Sequence, residues 1–340
     1  MDYYSYDFEL VEPLVTSVGT IERRKGFVLR IHSDGFTGFG EAAPLSGFSI
    51  EDNAQTERDL QIGLEVVQKV GAVDALTELP SSLCSSARFA LELALLDWMA
   101  KQADAPLSFL LGGEGASFLP LTALIRTPED ARAAVERGHR VLKLKVGANP
   151  LDADVSHLEQ IVESVEEQVI LRLDANGAFS REQAIAFFEA VAHLPIESVE
   201  DPLSLDALEA MPDLMRFRVG LGVDEALRHP QHMDRVFTPG FVDYVVLKPM
   251  WCGGLLQAHA MGMAAAQRGI GVALSTALDG AIGRAGCIQL AAALPQEALW
   301  PSGVDTGNWL KSDHADHDLT IAEGHLHLNL MPGIGISELV

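Results

Sequence analysis

From about residue 118 the chain alternates short apolar runs with helical stretches at a pitch near 25 residues, and this regularity constrains the fold more than any other feature. The strand candidates are 119–125, 140–146, 168–174, 196–200, 219–224, 243–248, 270–275 and 301–304. Helical patterns lie between most of them, at 128–138, 151–165, 180–193, 204–212, 229–236, 254–268 and 280–293. Such alternation implies a parallel sheet with helical crossovers. Eight units closing on themselves give an α/β fold of the TIM-type (β/α) barrel class. An open doubly wound sheet is the alternative, but seven or more equal units without a dinucleotide fingerprint favour closure. Ser180 is a good N-cap for the helix REQAIAFFEAVAHL.

The first 115 residues follow another pattern. Residues 4–12, 26–33 and 36–42 read as strands of an antiparallel meander, with Asp34-Gly35 as a turn. A loop, Pro44 to Ser49, ends in an expected cap at Ser49 with Asp52 three residues on, ahead of a helix over 51–70. A second helix is predicted over 85–102, capped by Ser85 or Ser86. The expected organisation is an α+β domain over 1–115, the barrel over 116–315, and a segment over 316–340 whose strand-like LTIAEGHLHLNL returns to the first domain.

The formal charge of −24 argues against nucleic acid and anionic membrane as partners and reads as a solvated acidic surface. No run of about 18 uncharged apolar residues suggests a membrane span. The N-terminal MDYYSYDFELVEP lacks the basic start and apolar stretch of a signal peptide. The three cysteines, Cys84, Cys252 and Cys287, form no CxxC pair, which fits a reducing cytoplasm.

Three acids stand near the ends of three successive apolar runs: Asp174 in VILRLDAN, Glu200 in IESVEDP and Asp224 in VGLGVDEA, 26 and 24 residues apart. On neighbouring parallel strands they meet at the C-terminal rim, where barrel functional residues sit. Converging carboxylates repel unless a cation joins them, and hard oxygen ligands favour Mg²⁺, with Mn²⁺ as the second choice. Lys143 and Lys145 are one residue apart and so share a face of a strand. Lys248 ends YVVLKP, and Pro249 fits a strand terminus. Adjacent ammonium groups and a divalent ion are expected to depress each other's pKa; a drop from about 10.4 to about 7 costs on the order of 4–5 kcal/mol. The reaction class is α-proton abstraction from a small carboxylate substrate, with Lys145 as base and an enediolate stabilised by the metal and cationic lysines. Proton return from Lys248 on the other face gives racemisation or epimerisation; departure of a β-hydroxyl gives dehydration.

The K-x-K of LKLKVG, D-x-N of LDANGAF, E-D-P of VEDPL, D-E of GVDEAL and L-K-P of VVLKPMWCGG resemble the muconate lactonising enzyme subgroup of the enolase superfamily over essentially the whole chain. The resemblance implies that the α+β domain caps the barrel. Mandelate-racemase-like members carry an Asp/His dyad where this chain has Lys248 and Ser275-Thr276. Within the subgroup, FTGFGEAAPLSGFSIED and GVDTGNWL are most similar to the o-succinylbenzoate synthase family. The implied reaction is dehydration of 2-succinyl-6-hydroxy-2,4-cyclohexadiene-1-carboxylate in menaquinone biosynthesis. The implied roles are Mg²⁺ ligation by Asp174, Glu200 and Asp224, base then acid catalysis by Lys145, and cationic stabilisation by Lys248. Lys143, Asn176, Ser275 and Thr276 are the expected substrate-binding residues, and Asp279 is expected to replace a glutamate of the family. N-acylamino acid racemase and dipeptide epimerase share the lysines and metal, with specificity expected in loops near 16–25 and 44–50. A dipeptide epimerase offers a D-x-D loop after the eighth strand, where this chain has Asp305-Thr306-Gly307. A non-catalytic binding protein on the same fold is the reading of a different class.

Overall fold

The structure, a computed structural model, describes residues 1–16, 19–165, 169–315, 320–328 and 331–340. Residues 17–18 of the predicted specificity loop, residue 168 of the predicted strand 168–174, and residues 316–319 and 329–330 of the predicted C-terminal segment lie outside the described residues.

Strands β1 (Asp2–Thr16), β2 (Gly19–Ser33) and β3 (Phe36–Ala42) form the antiparallel meander. Helices α1 (Asn53–Val70), α2 (Ala72–Glu78) and α3 (Ser85–Gln102) follow, of which α2 had no counterpart in the sequence reading. The glycines of FTGFGEA have a packing cause. A Cβ on Gly38 or Gly40 would stand 2.0 Å from the carbonyl oxygen of Ala94 or Ala90, so α3 lies directly on β3. Two predicted caps moved. Asp52, not Ser49, caps α1 by accepting from Gln55 N, while Ser49 Oγ accepts from Leu45 N at 2.9 Å. Cys84 holds the cap position of α3 without a side-chain bond to the helix, and Ser86 is engaged with Glu51.

A short strand β4 (Phe118–Pro120) precedes the barrel strands β5 (Thr122–Ile125), β6 (Val141–Lys145), β7 (Ile170–Asp174), β8 (Ile196–Glu200), β9 (Gly220–Val223), β10 (Tyr244–Leu247) and β11 (Gly271–Leu274). Strands β5 to β11 make a seven-stranded parallel sheet in sequence order. The expected eighth strand, 301–304, is not a regular strand, yet it closes the ring. Trp300 N and Gly303 N donate to Val272 and Leu274 of β11, while Thr122 N of β5 donates to Ser302 O. Predicted strand 119–125 divides at Leu121. Its first part, β4, pairs with a hairpin of β12 (Thr320–Ala322) and β13 (His325–His327). Further on, Gly333 O accepts from Leu107 N, and Ile334 N donates to Asp97 of α3 at 2.8 Å.

Most crossovers are α-helical as expected. Residues Leu205–Phe217 instead form a 3₁₀ helix that contains Pro212, a residue with no N–H for an α-helical ladder. Ser180 caps the helix Arg181–Ala190 in a capping box with Gln183. Ser180→Ala is expected to cost about 1 kcal/mol, seen as a lower urea midpoint at unchanged slope. Among the described residues, no helix is long and apolar enough to cross a membrane.

Candidate active site

Parallel register brings the distant side chains together. Lys145 pairs with Asp174, and Asp174 with Glu200, across β6, β7 and β8. Asp224, Lys248 and Ser275 immediately follow β9, β10 and β11 at the same rim. Lys143, Lys145, Asp174, Asn176, Lys248, Ser275 and Thr276 line one cavity of about 150 Å³ at the barrel mouth. Glu200 and Asp224 are buried and joined to that wall through the lysines. All nine side chains expected at the site therefore converge. The alternation of β6 is the reason: Leu142, Leu144 and Val146 are buried in the core, so Lys143 and Lys145 share the opposite side of the strand.

Lys143 Nζ lies 2.9 Å from Asp174 Oδ2 and donates to Glu200 Oε2 at 2.7 Å. Lys248 Nζ pairs with Asp224 Oδ2. Lys145 Nζ donates to Asn176 Oδ1 at 2.8 Å, and Asn176 Nδ2 in turn donates to Glu225 Oε1 at 3.2 Å. Lys145 thus forms no carboxylate ion pair among the described residues and stands at the exposed end of its strand.

Burial works against a charge on Lys143, but Asp174 and Glu200 outweigh it and hold the ammonium well above the ordinary lysine range. The expected mutual depression of Lys143 and Lys145 does not hold for Lys143, because the carboxylates of Asp174 and Glu200 pair with its ammonium. Burial likewise opposes charge on Lys248, and Asp224 and Glu200 raise it. Burial acts to raise Asp174, yet Lys143, Lys145 and Lys248 bring it below the usual carboxylate range. Glu200 is pushed up to about 7, first by burial and then by Asp174 and Asp224, against the pull of Lys143.

The donor set fits a hard divalent cation. Glu200 Oε1 is buried without a hydrogen-bond partner among the described residues, an expensive state that a cation would relieve. Glu200, Asp201 and Asp224 each offer an oxygen, all within 4.8 Å of one another, while Asp174 is bridged to Glu200 by Lys143. Asp201 was not anticipated as part of this cluster. Its carboxylate accepts from Asp224 N and Glu225 N, each at 3.1 Å, which sets the turn that presents Asp224.

The cavity's other wall is apolar and comes largely from the first domain: Leu14, Ile21, Leu45 and Phe48, facing Trp251 and Leu278. The sequence reading missed Trp251. Its ring stacks with Phe48 at 6.2 Å and lies 4.6 Å from Lys248 Nζ. Asp305 also lines the cavity, 3.3 Å from Nε2 of the fully buried His139. Asp279 is not a cavity residue. It is 1% exposed and accepts from Ala277 N. Burial, reinforced by Glu41 and opposed by Arg24, pushes its pKa from 3.8 to about 7. The folded chain therefore holds this proton more tightly than the unfolded one. Its stabilising contribution is full below pH about 4 and is lost as pH rises through about 7. Asp279→Asn is expected to flatten that fall, measured as urea midpoints between pH 5 and 8.

Residues 126–338 match the family described as Enolase C-terminal domain-like, and residues 1–98 match a family described as MenC, N-terminal domain. The chain is 28% identical to muconate cycloisomerase 1-1 of Acinetobacter lwoffii, over 97% of this chain and 91% of that protein. It is 31% identical to a hydrophobic dipeptide epimerase of Roseobacter litoralis, over 76% of this chain and 77% of that one. Among solved structures, a dipeptide epimerase of Enterococcus faecalis V583, complexed with Mg and L-Leu-L-Tyr, superposes with a TM-score of 0.88 at 26% identity, covering 99% of this chain and 98% of that chain.

Proposed function

Since the chain belongs to the enolase superfamily, in the muconate lactonising enzyme subgroup, we propose that it catalyses syn-dehydration of 2-succinyl-6-hydroxy-2,4-cyclohexadiene-1-carboxylate to o-succinylbenzoate, a step of menaquinone biosynthesis. The observation that carries this choice within the subgroup is the match of residues 1–98 to the MenC N-terminal domain, since those residues supply the apolar wall of the cavity.

Asp174, Glu200 and Asp224 would hold Mg²⁺. When bound, the ion supplies positive charge against the charge that develops on the substrate carboxylate. Lys145, which bonds to Asn176 and pairs with no carboxylate among the described residues, takes the α-proton. Lys143 and Lys248 stay cationic between the carboxylates and the cavity and stabilise the developing negative charge. Lys145 then gives its proton to the departing hydroxyl on the same face. The C–H and C–O bonds break, a C=C bond forms and water leaves, without redox change. Asn176 orients Lys145 through the 2.8 Å bond, and Ser275 and Thr276 offer hydroxyls to the substrate.

N-acylamino acid racemisation is the second reading. It is favoured by Lys145 and Lys248 entering one cavity from different strands, a proton carrier for each face of one carbon. Dipeptide epimerisation is less well supported, because Asp305, the acid available for a substrate ammonium, already faces His139. Purified protein with Mg²⁺ is expected to dehydrate the cyclohexadiene faster than it racemises a panel of N-succinylamino acids and dipeptides. Turnover of the panel alone would overturn the dehydratase reading.

A further inference from the structure

A single buried guanidinium joins three walls of the cavity. Arg24 of β2 is 1% exposed. Its Nε donates to Leu278 O at 3.0 Å, its Nη1 to Pro44 O at 2.9 Å and Lys25 O at 3.3 Å, and its Nη2 to Ala43 O. The nearest carboxylate, Asp279, stands 3.9 Å away, so the donors are directed chiefly at main-chain carbonyls rather than at an ion-pair partner. Apart from that of Lys25, beside Arg24 in β2, those carbonyls belong to two stretches remote in sequence: residues 43–44 after β3 and residue 278 after β11. Their neighbours line the cavity, Leu45 and Phe48 on one side and Ala277 and Leu278 on the other, with Ile21 of β2 between.

The turn that Arg24 grips is strained. Leu278 has φ 60, a left-handed conformation that is unfavourable for a branched side chain and persists only when its surroundings impose it. The capping sheet grips the far side of the same turn. Glu41 of β3 accepts from Gly280 N and Gly283 N, each at 2.8 Å, and from Tyr6 Oη at 2.5 Å. Arg24 therefore holds the carbonyl side of the turn, and Glu41 the N–H side.

We propose that Arg24 is a positioning residue that locks the cavity-forming segment 43–48 of the capping domain to the turn 277–280 of the barrel, and so sets the shape of the substrate cavity without touching substrate. This rests on that cavity being the substrate site. Arg24 contacts none of Lys143, Lys145, Lys248 or the three acids in the bonds described, so its loss should weaken binding more than chemistry.

The test uses the full chain with Mg²⁺, comparing Arg24→Lys and Arg24→Gln with Arg30→Gln, a change at an exposed arginine paired with Asp2. Hydrogen exchange is read at the amides of Leu45, Ala277 and Gly280, alongside kcat and KM. Arg24→Lys is expected to speed exchange at all three amides by about tenfold or more, to leave β6 to β8 unchanged, to raise KM about fivefold and to keep kcat within about threefold. Arg24→Gln should move each quantity further the same way, and Arg30→Gln should move none. Exchange confined to residues near 24, exchange rising equally throughout the barrel, or a fall in kcat at constant KM would overturn the proposal. Should Arg24→Gln not fold, the wild type decides: the three amides are expected to share one opening free energy, and separate values would refute the lock. A wild-type chain that turns over none of the substrates would sink the functional reading, while the exchange result would still decide the lock.

Discussion

Replacing Lys145 with alanine is expected to lower kcat by roughly 10²–10⁴-fold, the contribution of a positioned general base. The effect should fall on kcat and kcat/KM together, because the lost interaction belongs to the transition state. Metal binding should survive. Lys145 bonds to Asn176 at 2.8 Å, whereas it is Lys143 and Lys248 that pair with Asp174, Glu200 and Asp224. Calorimetric titration with Mg²⁺ separates the two effects: unchanged affinity with lost turnover supports the assignment, and near-normal turnover would refute it. Exchange of the α-proton with D₂O, followed by NMR, gives the same answer for any carboxylate the protein accepts.

A comparable loss is expected from Glu200→Gln or from chelation of the metal. Charge stabilisation by a bound divalent ion is worth several kcal/mol, on the order of 10³-fold in rate. Glu200 is the most telling of the proposed ligands because its Oε1 is buried with no partner among the described residues while its Oε2 holds Lys143. The amide would keep the shape but remove the charge that both Lys143 and the ion require. Thermal unfolding provides an independent readout. Mg²⁺ should raise the wild-type midpoint in a concentration-dependent way, and Glu200→Gln should lose most of that rise. An unchanged rise in the variant would exclude Glu200 as a ligand.

The barrel was legible in the sequence because its period is local. Each β/α unit announces itself in about 25 residues of apolar run and helical pattern, without knowledge of its neighbours. The carboxylate trio and the K-x-K pair were legible for the same reason: strand ends mark the rim, and a spacing of two marks one face of a strand. Other features depend on what lies opposite, which sequence does not state. The eighth strand is a set of bridges because both sheet edges supply partners for residues 300–303. Ser49 lost the cap to Asp52 because the Leu45 amide claimed its hydroxyl. Lys143 is driven up rather than down because Asp174 and Glu200, from other strands, stand 2.9 and 2.7 Å from its Nζ. Asp279, read as the replacement for a glutamate of the family, is buried beside Arg24 and Glu41 of the other domain.

Periodicity and strand-end chemistry, both properties of neighbouring residues, determined the architecture and which side chains gather at the barrel mouth. Tertiary structure alone decided which cation meets which carboxylate, since Coulomb energy depends on separation in space. It also decided the apolar wall and the Arg24 bonds, which join residues some 250 positions apart in the chain.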